Sequence, residues 1–301
     1  MFRSLLSLFI ETFQQWNLHK APKMGAALAY YAVLSLAPLV ILVLSIMSLL
    51  VQRDAARAEV VGQFASLAGQ QGAAMVDTIL TSSASPKAGV IATVVGFVVL
   101  LIGASGAFGE LQDSLNQIWG VPVANRPWTA MIKDRLLSFA MVFVIGFLLL
   151  ISLVLSAGLA AASKFMQGYL PATQSLWELT NAGLSFVVVT VLFALIFRVL
   201  PDRRIAWRDV WVGAGITALL FTLGKFLIGL YLGQAAVASS YGAAGSLIII
   251  LLWTFYSAQI LFFGAEFTQV FARRYGTHQG ELAPTPTVSI PPRRASVAKL
   301  S

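Results

Sequence analysis

From Leu247 to Phe271 the chain reads L-I-I-I-L-L-W-T-F-Y-S-A-Q-I-L-F-F-G-A-E-F-T-Q-V-F, an apolar run that stops just before Arg273 and Arg274. A bilayer core is crossed by about 20 apolar residues rising about 1.5 Å each, so this run alone is long enough to span one. It also carries a carboxylate, Glu266. A charge at depth in hydrocarbon costs about 2.5 to 3.5 kcal/mol even on a lenient insertion scale, and is rarely left without a partner or a cavity. The rest of the chain has to supply that surrounding.

Five further apolar runs precede it, at about 25–51, 89–108, 136–162, 182–200 and 210–232. With 58% hydrophobic and 11% charged residues in 301, the chain is far more apolar than a soluble domain, where charged residues approach a quarter. The expected fold is an all-α polytopic membrane protein of six transmembrane helices, with residues 1–274 forming the membrane domain. Residues 275–301, with Pro284, Pro286, Pro291 and Pro292, hold too little apolar surface to pack and read as a disordered tail. No cysteine is present, which excludes disulfides, thiolate metal sites and a cysteine nucleophile. His19 and His278 both lie outside the apolar runs, so no metal centre and no cofactor are expected.

At the N-terminus, Phe2, Leu6, Phe9, Phe13 and Trp16 recur at spacings of three and four, giving a helix over residues 2–17 with one apolar face. Glu11 interrupts the apolar stretch and argues against a signal peptide. The helix either lies in the membrane interface or packs under the bundle. In the first span, Tyr30, Tyr31 and Ser35 are polar groups in an apolar helix. Pro38 cannot donate its backbone hydrogen bond, which makes it a hinge candidate. Between Gln52 and Lys87, Val60, Phe64 and Leu67, then Val76, Ile79 and Leu80, predict one or two short amphipathic helices capping the bundle. Gly103, Ala104, Ser105, Gly106 and Ala107 let the second span approach a neighbour closely. The fifth span contains Lys225 and a second hinge candidate, Gly224. The uncharged stretch from Gly233 to Ser246, around Tyr241, is either a compact outer turn or a re-entrant piece lining a cavity.

Six spans put both termini on one side, and that side then carries fifteen of the twenty lysines and arginines. The positive-inside rule places it in the cytoplasm. The net charge of +8 is thereby a feature of topology and of contact with membrane lipids, and no nucleic-acid partner is implied. Nothing in the sequence sets the oligomeric state.

Several segments resemble one family: A-L-A-Y-Y-A-V-L-S-L-A-P from Ala27, S-L-N-Q-I-W from Ser114, P-D-R-R-I-A-W-R-D-V-W-V-G-A from Pro201, S-Y-G-A-A-G-S from Ser240 and L-L-W-T-F-Y-S-A-Q-I-L-F-F-G-A-E from Leu251. In consistent order from Trp16 to Arg274, they resemble the YihY/BrkB family of bacterial inner-membrane proteins. The resemblance implies one of the labels its members carry: virulence or serum-resistance factor, transporter, or tRNA-processing ribonuclease BN. The ribonuclease label fits the residues badly. Phosphodiester hydrolysis needs metal-bound water or an acid and base pair, whereas Glu110, Asp113, Asp134, Asp202 and Asp209 lie among basic residues in short connections with no H-x-H-x-D-H type cluster.

Lys225 and Glu266 are the two charges well inside spans. Counted along their helices from the basic end, they sit about 24 Å and about 10 Å up, an offset too large for contact. Glu266 falls instead near the depth of Tyr30 and Tyr31, whose hydroxyls can donate to it. It is either a structurally bonded carboxylate or a protonatable coupling group. Lys225 either snorkels to outer headgroups or meets an anionic solute beneath the loop of Tyr241. The expected function is transport or flipping of an amphiphilic or anionic envelope-related solute, a lipid among the candidates, with no catalytic residues. The alternative is a scaffold for envelope assembly. No G-x-x-x-x-G-K-[ST] loop is present, so no nucleotide drives such transport within this chain.

Overall fold

The computed structural model describes residues 2–48, 52–83, 90–121, 174–234 and 245–279. The expected third span at 136–162, Tyr241 and the tail from 280 onward lie outside the described residues. Among the described residues all regular structure is helical. The helices are α1 (Phe2–Leu18), α2 (Ala21–Met47), α3 (Arg53–Ser83), α4 (Val90–Ile118), α5 (Gln174–Val199), α6 (Trp207–Gln234) and α7 (Gly245–Arg274). Among the described residues, four segments are long and apolar enough to cross a membrane: Ala21–Ser45, Ala182–Val199, Trp207–Ile228 and Leu247–Arg274.

The last helix is the hub. α7 packs against α1, α2, α3, α4 and α6. Within hydrocarbon the hydrophobic effect does not favour one helix face over another, so close approach of backbones at small residues holds such helices together. α6 and α7 show how. Gly213 lies against Thr268 and Gly264 against Thr217, and each threonine hydroxyl donates at 2.7 Å to the carbonyl of the glycine four residues earlier in its own helix. The same antiparallel register continues upward, where Gly224 faces Ile260 and Tyr256. Gly224, a hinge candidate in the sequence, is a close-packing contact between these two helices. α2 meets α4 in the same way, with Ser35 seated on Gly103 and the Tyr31 ring on Gly106. α2 itself runs as one helix through Pro38.

The main core gathers at the basic end of the bundle. Ala21 and Met24 of α2 meet Leu111, Leu115 and Ile118 of α4 there. Phe193 and Phe197 of α5, Val210 and Ala214 of α6, and Phe262 and Ala265 of α7 complete it. At the far end, α3 packs on Val40 and Leu44. Arg57 Nε donates to Asp77 Oδ1 at 2.8 Å, across twenty residues that a straight helix would spread over about 30 Å. Ala56, Val60, Val76 and Leu80 also share one cluster. α3 therefore folds back on itself as two helical arms against α2.

The family-like motifs of the sequence interlock at the basic end. Asn116 Nδ2 donates to Asp202 Oδ2 at 2.8 Å while Asn116 Oδ1 accepts from the Asp202 amide at 2.8 Å, clasping the α5–α6 turn to α4. Arg203 donates to the Trp119 carbonyl. α4 ends at Gly120, φ 65°, where the Val121 amide returns to the Asn116 carbonyl, an arrangement for which glycine is the unstrained residue. After α7, the Thr277 amide and hydroxyl both donate to Asp209 Oδ2, at 3.0 and 2.8 Å. Residues 275–279 consequently form a turn anchored to α6, so the disorder expected from residue 275 does not describe them.

Candidate functional site at a buried His19 and Glu266 pair

Glu266 finds its partner at the joint between α1 and α2. His19 Nδ1 and Glu266 Oε1 are 2.6 Å apart, and the two side chains are 1% and 0% exposed. This corrects the expectation that tyrosine hydroxyls serve the carboxylate. Tyr30 is 61% exposed and rests edge-on against Tyr31 at 5.5 Å, while Tyr31 is committed to Gly106.

The joint is built to present the imidazole. Lys20 adopts a left-handed backbone, φ 57°, with its amide bonded to the Asn17 carbonyl, and this breaks α1 from α2. His19 ends a face of α1 formed with Leu8 and Thr12, all buried, and Gln117 of α4 donates to its backbone carbonyl at 3.4 Å. α1 crosses α7 transversely. Phe9 stacks on Phe263 and meets Phe267 at a tilt, whereas Glu11, two residues on, pairs with Arg273 and Arg274 at the helix end. Leu6, Ile10 and Phe13 point away from the bundle and are exposed, so the apolar face predicted for residues 2–17 is largely the outward one.

Above the pair runs a polar file. Gln259, two turns before Glu266 on the same face of α7, packs against the backbone of Gly25. Both polar atoms of its side chain are buried and lack a hydrogen-bond partner among the described residues, as do His19 Nε2, Glu266 Oε2 and Gln269 Oε1. Buried polar groups are paired in the great majority of cases, and the exceptions concentrate where strain, proton movement or an unseen ligand is involved. Chemically, the pair can hold and exchange a proton within an otherwise apolar seam.

The remaining sequence candidates are not drawn into this site. Lys225 is exposed on α6, whereas Glu266 is buried. Ser35 is nearly buried, but its hydroxyl donates to the Ala32 carbonyl at 3.0 Å within its own helix. Pro38 lies toward the α3 end of α2. His19 was set aside in the sequence because it precedes the first apolar run. Its signal is the spacing of Leu8, Thr12 and His19, which share one helical face beside the aromatic one, ending one short joint before the span. Among the described residues no group of three or more His, Cys, Asp or Glu could hold a metal ion. The acids at this end are held separately, Asp202 by Asn116 and Gln112, and Asp209 by Thr277.

A family profile described as "Virulence factor BrkB" matches residues 12–287. A ribonuclease-like protein of Bacillus subtilis, YfkH, is 23% identical over 89% of this chain and 96% of its own length. A UPF0761 membrane protein of Alteromonas mediterranea is 27% identical over 94% of the chain and 92% of that protein. Another, from Alkalilimnicola ehrlichii, is 30% identical over 60% of the chain, a match that spans only 39% of that longer relative. No solved structure matches the chain. With a match across most of its length and apolar helices of spanning size, this chain belongs to the BrkB family of membrane proteins.

Proposed function

We propose that the protein is a six-span bacterial inner-membrane protein, both termini cytoplasmic, that moves or flips an amphiphilic or anionic envelope solute, a phospholipid being the first candidate. The observation that carries this reading is the fully buried His19–Glu266 contact at 2.6 Å, with Gln259 two turns along the same face of α7 and without a side-chain partner among the described residues. A chain serving only as a membrane anchor gains nothing from a buried ionisable pair, because taking such groups out of water is costly even when they are paired. In this account Glu266 and His19 exchange a proton as α7 shifts against the α1–α2 joint, and the file admits the polar part of the solute. Lys225 serves headgroup contact outside the path.

The ribonuclease name carried by the Bacillus relative is not extended to this chain, because Asp202 and Asp209 are each engaged in a separate turn contact and no metal-holding cluster is found among the described residues. A scaffold remains the second reading, favoured by the close Gly213–Thr268 and Gly264–Thr217 seam beside the pair. The test is reconstitution of the purified chain in liposomes with a leaflet assay for labelled phospholipid, with and without a proton gradient. Movement above that of protein-free liposomes supports transport. Its absence under both conditions removes lipid flipping and favours the scaffold.

A further inference from the structure

The α6 face turned away from the bundle begins with two tryptophans one turn apart. Trp207 and Trp211 are each 46% exposed, with ring centroids 6.2 Å apart. The Arg198 guanidinium, from the last turn of α5, lies over the Trp207 ring at 5.7 Å. Arg208 is exposed beside Trp211 on the same helix, and Arg204 is exposed in the preceding turn. Beyond the tryptophans the face turns apolar, with Leu219, Leu223, Phe226 and Leu227 exposed along α6.

Charge at this surface is predominantly positive, with the exposed carboxylate of Asp202 engaged by hydrogen bonds. The acids nearest in the chain are Asp202, clasped by Asn116 and Gln112, and Asp209, wholly buried against Thr277. The depth is fixed independently. In the register set by Gly213–Thr268 and Thr217–Gly264, Trp207 and Trp211 lie level with Arg274 and Val270. That is the level at which α1 crosses α7 with its apolar face outward. Tryptophan with arginine at the end of an apolar helix face is the arrangement that meets a headgroup layer.

We propose that Arg198, Arg204 and Arg208, with Trp207 and Trp211, form a binding site for the headgroup of one anionic phospholipid, whose acyl chains lie along Leu219, Leu223 and Phe226. The arginines take the phosphate through charge-assisted hydrogen bonds, Trp207 holds Arg198 in place from below, and the indoles pack against the glycerol region. The site is separate from the His19–Glu266 file and does not depend on the transport reading.

The test is native mass spectrometry of the purified full-length chain equilibrated in detergent micelles containing equal phosphatidylglycerol and phosphatidylcholine. The wild type is expected to retain phosphatidylglycerol in preference, each arginine contributing about fivefold. Arg198→Gln with Arg208→Gln removes most of that preference, whereas Arg53→Gln, an exposed charge at the far end, leaves it unchanged. Arg208→Gln alone, at an exposed position, gives the same reading at about a fivefold loss if the double variant does not fold. Equal retention of the two lipids by the wild type, or an undiminished preference in folded Arg208→Gln, overturns the proposal.

Discussion

His19 and Glu266 are buried together, so each depends on the other more than the fold depends on the pair. Removing one partner of a buried polar pair costs about 3 to 5 kcal/mol, while replacing both with apolar residues of similar size is often neutral or stabilising. His19→Leu and Glu266→Leu are each expected to lower the unfolding midpoint in detergent sharply, and the double variant to recover most of the loss. Additive single effects would contradict the pairing. Glu110 makes a second residue-scale prediction. Burial, then the nearby negative charge of Asp113, raises its pKa above the ordinary carboxylate value. A carboxylate raised in the folded state supports the fold below its unfolded pKa and ceases to do so as pH rises through the folded one. Glu110→Gln should therefore be slightly more stable than wild type at neutral pH, by no more than about 2 °C, with the gap closing as pH falls toward the carboxylate range. A gap that widens on acidification would contradict the assignment. The identity of Glu266 as the residue needing an explanation was legible from its place in an apolar run. Its partner was not, because depth counted along spans assigns no depth to a residue in a joint.

At the scale of elements, the seam between α6 and α7 is set by glycines with a threonine four residues on. A Cβ at Gly213 or Gly264 would collide with the facing threonine, while Gly215, two residues along, has nothing within 4 Å. Gly213→Ala and Gly264→Ala are expected to cost about 1 to 3 kcal/mol by overpacking, and Gly215→Ala to be tolerated, as read from thermal unfolding in detergent. Asp209 joins α6 to the turn after α7 through two hydrogen bonds to Thr277. Asp209→Ala should cost about 1 to 2 kcal/mol and expose residues 275–279 to protease. Helix positions for α2, α6 and α7 were readable from apolar run length. The small residues of the second span correctly signalled close packing, which Gly103 and Gly106 provide. Glycine in a helix signals flexibility and close approach alike, and at Gly224 the structure displays the close approach. The contact is with Tyr256 and Ile260 of α7, which the sequence gives no means of pairing with it.

At the scale of the molecule, the antiparallel register of α6 and α7, the crossing of α1 and the tryptophan pair all mark one level at the basic end. If that level is the cytoplasmic interface, single cysteines introduced into this cysteine-free chain at Arg204 and Gln279 should react with a membrane-impermeant thiol reagent only after the inner membrane is opened. One at Arg53, at the far end, should react in intact cells. Labelling of all three from outside would contradict the orientation. The apolar runs conveyed a polytopic bundle centred on the last helix, since length and hydropathy are local properties. The polar file was hidden because it is assembled from Gly25, Gln259, Glu266 and His19 across two helices and a joint. The most direct test of that file as the working centre is the liposome leaflet assay run on wild type, Glu266→Gln and Lys225→Met at matched insertion and thermal stability. The account predicts labelled phospholipid movement by the wild type and by Lys225→Met, and its loss in Glu266→Gln. Movement by Glu266→Gln at the wild-type rate would contradict it.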